Sequence, residues 1–284
     1  MTGKLVAGAI QLNSGDRVEE NLRNAGELTA RAVERGAQLV VLPENFALMA
    51  ASERARRDQA EDDGDGPMQA GAAAIARRHG CWLVAGSLPI RRADDPRPAS
   101  ACCVYDSDGR RVARYDKLHL FDVSLPGLDE SYRESADTAP GRSAVAVDSP
   151  WGRLGLTICY DLRFPELYRQ LAALDVCLFV VPAAFTRPTG QSHWSVLLRA
   201  RAIENLGYVV AAAQCGEHPG ERRTWGHSTV VGPWGEILAE AGAEPGFVVA
   251  GLDLARCEQL RKEFPTLAHS RYDIGNEPPV EVFD

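Results

Sequence analysis

The sequence has little of what marks membrane, secreted or metal-binding proteins. None of its apolar runs approaches the roughly 18–20 residues that a membrane-spanning helix requires. The apolar run at 5–10 is too short for the apolar region of a signal peptide, and no cleavage-site pattern follows it. Neither a CxxC nor an HExxH arrangement is present. We therefore expect no membrane partner, no metal and no other cofactor.

Excess positive charge is also absent. The chain has 31 Lys and Arg residues against 39 Asp and Glu residues, a net charge of -8. This balance argues against nucleic acid or an anionic membrane surface as the main partner, although a few local arginines could hold a small anionic substrate. The seven cysteines are an odd number scattered through apparent core strands. We therefore expect free thiols and a reducing compartment, and hence a cytoplasmic protein.

The second half of the chain repeats the order of the first. "QLVVLPENF" at 38–46 corresponds to "CLFVVPAAF" at 177–185, and "WLVAGSLP" at 82–89 corresponds to "YVVAAAQC" at 208–215. We interpret this as an internal two-fold duplication of a strand–helix–strand–helix–strand–hairpin unit. Two such sheets, each with helices on one face, can pack sheet to sheet as a four-layer α-β-β-α sandwich, an α/β fold. A single doubly wound sheet is the alternative.

The periodicity places the elements within this order. Helices are predicted at 18–35, 68–79, 165–173 and about 192–205. Strands are predicted at 5–11, 38–42, 82–85, 101–106, 111–115, 154–158, 176–181, 208–213, 228–231 and 236–240. We expect a single domain over residues 1–284, with a core of about 4–264 and an extended C-terminal arm at 265–284.

Three reactive side chains each follow a predicted strand. Glu44 follows the strand at 38–42, Lys117 follows the hairpin, and Cys159 lies where a strand gives way to the helix from Pro165. In open α/β sheets, ligands bind beyond the ends of strands, and the amides of a helix N-terminus favour thiolate over thiol. Each residue also has an ordinary interpretation. Glu44 could be an exposed loop acid, Lys117 a solvated charge and Cys159 a buried structural cysteine.

The combination of the three segments is far more specific than any one of them. "LVVLPEN", "YDKLHLFD" and "GLTICYDLRFPELYR", in that order, resemble the nitrilase superfamily of carbon–nitrogen hydrolases. The resemblance extends over about residues 4–274. It implies the α-β-β-α sandwich of that superfamily and a hydrolase acting on carbon–nitrogen bonds other than peptide bonds, without a cofactor.

The resemblance also implies a role for each reactive residue. Glu44 is the general base, Lys117 stabilises the oxyanion and Cys159 is the nucleophile that forms a thioester. A second glutamate of this family maps onto Glu134 in "YRESADTAPG", where it would help to position Lys117 and the substrate. Glu130 is a nearby competitor for that role.

The sequence around these residues resembles the Nit branch of the superfamily, whose members are amidases. The likeness lies in "CYDLRFPELYRQLA", "PTGQSHWSVLLRARAIENLGYVVAAAQCG" and "GHSTVVGPWGEILAEAG". The branch includes deaminated-glutathione amidases and omega-amidases, and "AAAQCG" favours the former. The resemblance therefore implies hydrolysis of a small carboxylate-bearing amide, with deaminated glutathione preferred. The alternatives are an omega-amidase acting on 2-oxoglutaramate or 2-oxosuccinamate, an N-carbamoyl amide hydrolase, a nitrilase and, remotely, a non-catalytic scaffold.

Substrates of this kind carry carboxylates, which arginine binds well. The candidate arginines are Arg163, Arg187, Arg199 and Arg201, each of which could instead form a surface salt bridge. The predicted substrate-binding residues are Tyr160, Arg163, Phe185, Thr186 and His193. His193 could equally be a structural histidine.

The same resemblance implies self-association. We expect a homodimer or a higher assembly of dimers, to which the apolar helix at 194–202 and the tail after Pro265 contribute.

Overall fold

The computed structural model describes residues 4–124, 131–271 and 280–283. Within these ranges, no helix has the length and apolar character needed to cross a membrane. The described α-helices are α1 (Val18–Glu34), α2 (Glu53–Asp58), α3 (Pro67–His79), α4 (Pro165–Ala172), α5 (Arg187–Asn205) and α6 (Leu254–Glu263). The strands are β1 (Lys4–Gln11), β2 (Leu39–Val41), β3 (Trp82–Ile90), β4 (Ala99–Tyr105), β5 (Arg111–Asp116), β6 (Asp122–Ser124), β7 (Ser131–Arg133), β8 (Ala144–Ser149), β9 (Gly152–Leu156), β10 (Leu178–Ala183), β11 (Tyr208–Ala213), β12 (Cys215–Glu217), β13 (Arg223–Trp225), β14 (Thr229–Val231), β15 (Ile237–Glu240), β16 (Gly246–Asp253) and β17 (Val280–Phe283).

Two large sheets carry the duplicated order that the sequence predicts. The first has the order β16-β1-β2-β3-β4-β5, and the second has the order β15-β14-β11-β10-β9-β8-β17. Strands β1, β2 and β3 are parallel neighbours, as are β9, β10 and β11, and an antiparallel hairpin completes each set. The fold is the predicted α/β sandwich.

One strand crosses between the halves. After the first hairpin, β8 begins the second sheet, antiparallel to β9, its neighbour along the chain. After the second hairpin, β16 returns to the first sheet, antiparallel to β1. The first sheet therefore contains a strand from the second half of the chain. Neither β8 nor β16 is predicted from the sequence, and α6 is also new.

The sheets are buried on both faces. Leu39 and Val41 of β2 face the core that also contains both strands and helices of the second half. Val40, between them, faces a separate core with Ala25 and Ala32 of α1. Since side chains on a strand alternate between its faces, an uninterrupted apolar run is what a sheet covered on both sides needs.

The boundaries of several elements differ from prediction. Strand β3 runs five residues beyond 82–85, to Ile90, and α5 begins at Arg187 rather than near 192. Strand β10 continues past the predicted end at residue 181 and includes Pro182. Strand β9 pairs with β10 only as far as Val180, so the missing N–H of the proline breaks no ladder on that side.

The C-terminal arm is only partly described. The strand β17 pairs in parallel with β8 of the same chain, at the edge of the second sheet. The rest of the arm beyond residue 271, apart from these four residues, lies outside the described residues.

Candidate active site

Lys117 joins two carboxylates in the interior of the protein. Its Nζ donates to Glu44 Oε1 at 2.8 Å and to Glu134 Oε1 and Oε2 at 3.0 and 2.9 Å. Only 1% of Lys117 is exposed. Burial alone would lower the pKa of its ammonium, but Glu134 and Glu44 outweigh burial and raise that pKa above its ordinary value. Lys117 is therefore a fixed cation. The competing Glu130 lies outside the described residues.

Cys159 opens the turn that follows β9. It begins a short 3-10 turn, Cys159–Arg163, and has the left-handed φ of 47°. A side chain other than glycine adopts this conformation at a cost, and such strain is concentrated at functional sites. The thiol lies close enough to Glu44 and to the Ala184 N–H for both groups to shift its pKa.

The thiol is held in its neutral form. Burial raises the pKa of the Cys159 thiol well above its ordinary value, and the charge of Glu44 adds to that rise. Lys117 and the Ala184 N–H oppose the shift but do not overcome it. Lys117 thus favours the thiolate, but burial is the larger effect. The nucleophile needs a base, and Glu44 is placed to be one.

Asp161 fixes the nucleophile turn to the lysine segment, a role that sequence reasoning missed. It is completely buried, and its Oδ2 accepts from Tyr115 Oη at 2.7 Å and from Ile158 N at 2.8 Å. Its Oδ1 accepts from His119 N at 3.1 Å and lies 2.7 Å from His119 Nδ1. One carboxylate therefore holds the residue before Cys159 against the strand end that carries Lys117.

The loop that carries Glu44 is supported from both halves. Gln214 Nε2 donates to the Glu44 carbonyl at 3.0 Å. On the other side, Gly86 approaches so closely that a Cβ there would lie 1.9 Å from the Pro43 carbonyl oxygen. Gly86 also has a φ of 41°, which favours glycine. The position of Glu44 thus depends on contacts that are remote in sequence.

A cavity of about 260 Å³ opens onto these groups. Glu44, Lys117, Glu134 and Cys159 all line it. In the part of the chain that the structure describes, no group of three or more His, Cys, Asp or Glu side chains is arranged to hold a metal ion. The arrangement offers a nucleophile, an adjacent base and a fixed cation, which is the set that acyl transfer needs.

The structure separates the predicted pocket residues into two groups. Tyr160, Arg163, Phe185 and Thr186 line the cavity. His193 is not among the described residues lining it, and its Nδ1 lies 3.2 Å from Arg163 Nη1.

Three of the four candidate arginines face elsewhere. Arg199 donates to the Gly235 carbonyl, and Arg201 is buried against the Leu162 carbonyl. Arg187 is likewise not among the described residues that line the cavity.

Three arginines that the sequence analysis did not single out do line the cavity. Arg56 lies on α2, Arg133 ends β7, and Arg222 lies between β12 and β13. Arg56 and Arg222 are far in sequence from Cys159 and outside the three motifs. No signal in the sequence marks either of these two, because only the folding of the chain brings them to the cavity.

Comparisons with known proteins agree with this geometry. The profile of the carbon-nitrogen hydrolase family matches residues 6–262. The chain belongs to the carbon–nitrogen hydrolase family. It is thus a hydrolase of carbon–nitrogen bonds other than peptide bonds.

Relatives in this family match nearly the whole chain. A protein of Yersinia enterocolitica named deaminated glutathione amidase is 41% identical over 93% of this chain and 92% of its own length. The crystal structure of Saccharomyces cerevisiae Nit3, described as a member of branch 10 of the nitrilase superfamily, superposes with a TM-score of 0.86. It is 28% identical over 96% of this chain and 98% of that one. The Caenorhabditis elegans NitFhit protein superposes with a TM-score of 0.87 at 38% identity. That match covers 95% of this chain and 66% of the longer relative.

Proposed function

We propose that this chain hydrolyses the amide bond of deaminated glutathione and releases 2-oxoglutarate and cysteinylglycine. The observation that carries the proposal is a single cavity lined by Cys159, Glu44 and several arginines. This combines the groups for attack on an amide with groups that bind carboxylates. The name of the Yersinia enterocolitica relative supports the same substrate.

The first chemical step forms a thioester. Glu44 takes the proton of the Cys159 thiol as the sulfur adds to the amide carbon. The carbonyl oxygen becomes an oxyanion, which the Lys117 ammonium and the backbone N–H of Tyr160 stabilise. One such donor lowers the barrier by on the order of 3–4 kcal/mol. Glu134 accepts two of the hydrogen bonds of Lys117 and so keeps it aimed at this position.

The second half of the reaction uses Glu44 twice. Its carboxyl proton passes to the amide nitrogen as the carbon–nitrogen bond breaks, and the amine leaves. A water then adds to the thioester carbon while Glu44 accepts a proton from it. The carbon–sulfur bond breaks, the carboxylic acid leaves, and Cys159 regains its proton from Glu44.

We also assign the protein to the cytoplasm. All seven cysteines are free and buried. Free thiols are the rule in reducing compartments, which supports this location.

The assembly proposed with this function is a homodimer or a higher assembly of dimers. Large apolar side chains are exposed on the outer side of α5, on the β14–β15 hairpin and just after α6. They are Val196, Ile203, Trp234, Ile237, Leu238 and Phe264, and we call them the α5 face. An apolar surface of this kind favours association with a second copy of the chain.

The test of the function is a panel of four substrates. Deaminated glutathione, 2-oxoglutaramate, a carbamoyl amine and an aliphatic nitrile are each incubated with wild type and Cys159→Ala. Release of 2-oxoglutarate, ammonia and carboxylic acid is then measured. Cys81→Ala is the matched control, because Cys81 is buried outside the cavity. We expect deaminated glutathione to give the highest kcat/KM, with activity lost only in Cys159→Ala.

Other outcomes separate the parts of the proposal. Faster turnover of 2-oxoglutaramate would make the chain an omega-amidase with the same chemistry. Equal activity of wild type and Cys159→Ala would refute the mechanism. If wild type cleaves none of the four, the proposed substrate is wrong.

A further inference from the structure

Arg56 is a buried cation without an anionic partner. Its side chain is on α2, and only 8% of the residue is exposed. Its one hydrogen bond runs from Nη1 to Thr138 Oγ1 at 3.0 Å, and no carboxylate of the described residues lies within 4.0 Å. A guanidinium stays charged in proteins, and a buried charge is costly unless it is paired. The cavity, which Arg56 lines, is the direction from which an anion can reach it.

Arg222 faces the same wall of the cavity. Its Nη1 lies 3.7 Å from Met49 Sδ, and its guanidinium lies over the Tyr132 ring at 5.8 Å from the centroid. The turn before it packs against the start of α2, since a Cβ on Gly220 would lie 2.7 Å from the Ala51 carbonyl oxygen. Among the described residues, Arg222 also has no carboxylate within 4.0 Å.

Apart from Glu44, Lys117 and Glu134, the described side chains that line the cavity carry more positive than negative charge. Glu44 and Glu134 are both bound to Lys117. Of the other described residues lining the cavity, four are arginines and one is a glutamate. They are Arg56, Arg133, Arg163, Arg222 and Glu53. This excess of positive charge favours a substrate with more than one negative charge.

Two arginines without a carboxylate partner among the described residues lie at the two ends of a row of aromatic rings. Arg163 lies over the Tyr160 ring at 5.8 Å. The rings of Tyr160, Phe121 and Tyr132 follow one another, each 5.1 Å from the next. Arg222 lies over the last of these rings. The cavity therefore has two separate positions for a carboxylate.

The reaction determines which part of the substrate lies at each of the two carboxylate positions. Glu44 must reach the nitrogen that leaves, so the amine portion of the substrate begins beside Glu44. The wall that continues from Glu44 along the chain holds Met49 and then Arg56, with Arg222 against Met49. This leaves the position beside Arg163 for the acyl portion of the substrate.

We propose that Arg56 and Arg222 form a subsite for the terminal carboxylate of the leaving amine. This inference rests on the proposed amide hydrolysis, and it explains how the cavity would distinguish a peptide-like leaving group from ammonia. In deaminated glutathione the ligand is the carboxylate of the terminal glycine. An omega-amidase substrate, which releases ammonia, leaves the subsite empty.

The experiment compares deaminated glutathione with the same compound amidated at its terminal glycine. In wild type we expect kcat/KM to be about 10–100-fold higher for the acid, mainly through KM, because a charge-assisted pair is lost with the amide. In Arg222→Met and Arg56→Met the two compounds should react equally well. Activity on 2-oxoglutaramate, which has no carboxylate on its leaving group, should fall by a much smaller factor than activity on the acid. Arg223→Met is the matched control, since Arg223 is an exposed neighbour paired with Glu217.

Binding supplies the same comparison without turnover. Calorimetry with Cys159→Ala measures the affinity for cysteinylglycine and for cysteinylglycine amide, and the acid should bind more tightly only while both arginines are present. Equal affinities and equal kcat/KM for acid and amide in wild type would overturn the subsite. So would an equal loss of activity on all substrates in the arginine variants, including 2-oxoglutaramate. If wild type cleaves neither substrate but binds the acid selectively, the proposed function fails and the subsite stands.

Discussion

At the scale of single residues, the site depends on one proton, which rests on the Cys159 thiol beside the charge of Glu44. The raised pKa of Lys117 keeps that side chain positively charged next to the pair. Since the charge of Glu44 raises the pKa of the thiol, the resting pair consists of a neutral thiol and a carboxylate. The pair is then ready for proton transfer during attack, and the enzyme does not store a reactive thiolate.

The Glu44→Gln variant tests this pairing. We expect kcat to fall by about 10²–10⁴-fold because the base is lost. The pKa of the Cys159 thiol should move down, because a negative charge that disfavours thiolate is gone while Lys117 remains. Alkylation by iodoacetamide, followed across pH, measures this directly. A midpoint that is unchanged or moves up would contradict the resting state described here.

The Asp161→Asn variant tests the positioning carboxylate. Asp161 Oδ2 accepts hydrogen bonds from the Tyr115 hydroxyl and the Ile158 N–H. The amide of the variant has an NH₂ group in place of one carboxylate oxygen, so a buried donor loses its acceptor. We expect the free energy of unfolding to fall by about 2–4 kcal/mol. Urea unfolding measures it, and kcat should fall while the folded fraction stays high in buffer. Asp108→Asn, at an exposed turn, is the matched control and should change stability by less than about 0.5 kcal/mol. Equal stabilities of the two variants would contradict the role of Asp161.

At the scale of elements, strand ends bring the reactive residues together. Glu44 follows β2 and Cys159 follows β9, and these strands belong to different sheets. Lys117 directly follows β5, at the edge of the first sheet. The packing of one sheet on the other therefore sets the distances in the site. The segments that carry these residues can therefore be short turns, such as the turn after β2 that Gly86 contacts.

The Gly86→Ala variant tests that support. A Cβ at this position collides with the Pro43 carbonyl, next to Glu44, and adopts an unfavourable φ. We expect a loss of about 2–4 kcal/mol in the free energy of unfolding and a lower kcat. Gly251→Ala is the matched control, because a Cβ there would meet no atom within 4 Å. Thermal unfolding and single-turnover kinetics provide the two measurements. Wild-type kcat in Gly86→Ala would show that the close approach does not position Glu44.

At the scale of the whole molecule, one strand ties the two halves into a single unit. Because β16 pairs with β1 at the start of the chain, the first sheet is complete only with a strand of the second half. The reactive set is also divided, since Glu44 and Cys159 come from different halves. The α5 face remains exposed on this unit and is the surface that we propose for pairing with a second copy.

The Val196→Glu variant tests the proposed dimer. Val196 is 67% exposed at the α5 face, and a charge there opposes burial against a second apolar surface. We expect wild type to sediment as a dimer or a multiple of dimers and Val196→Glu to sediment as a smaller species. Arg110→Gln, on the exposed β4–β5 turn, controls for the change of charge, because it also lowers the net charge by one. A monomeric wild type would contradict the proposal.

The sequence by itself determined the class of fold and predicted a candidate reactive set. Period-two and helical patterns are local, so they located most strands and helices, and the repeated order revealed the two halves. Glu44, Lys117 and Cys159 could be singled out because each lies in a motif directly after a strand, and the structure places all three on one cavity. The same local logic missed β8, and it missed β16, whose partner β1 lies at the other end of the chain.

Only the tertiary structure decided which side chains share the cavity. Arg56 and Arg222 have no distinguishing neighbours in the sequence, yet both line it, whereas Arg199 and Arg201 face backbone carbonyls elsewhere. Asp161 was read only as part of a motif, because its partners His119 and Tyr115 are about forty residues away along the chain. The physical reason is general. Local patterns report whether a side chain is buried, but the group that it meets there is set by long-range packing.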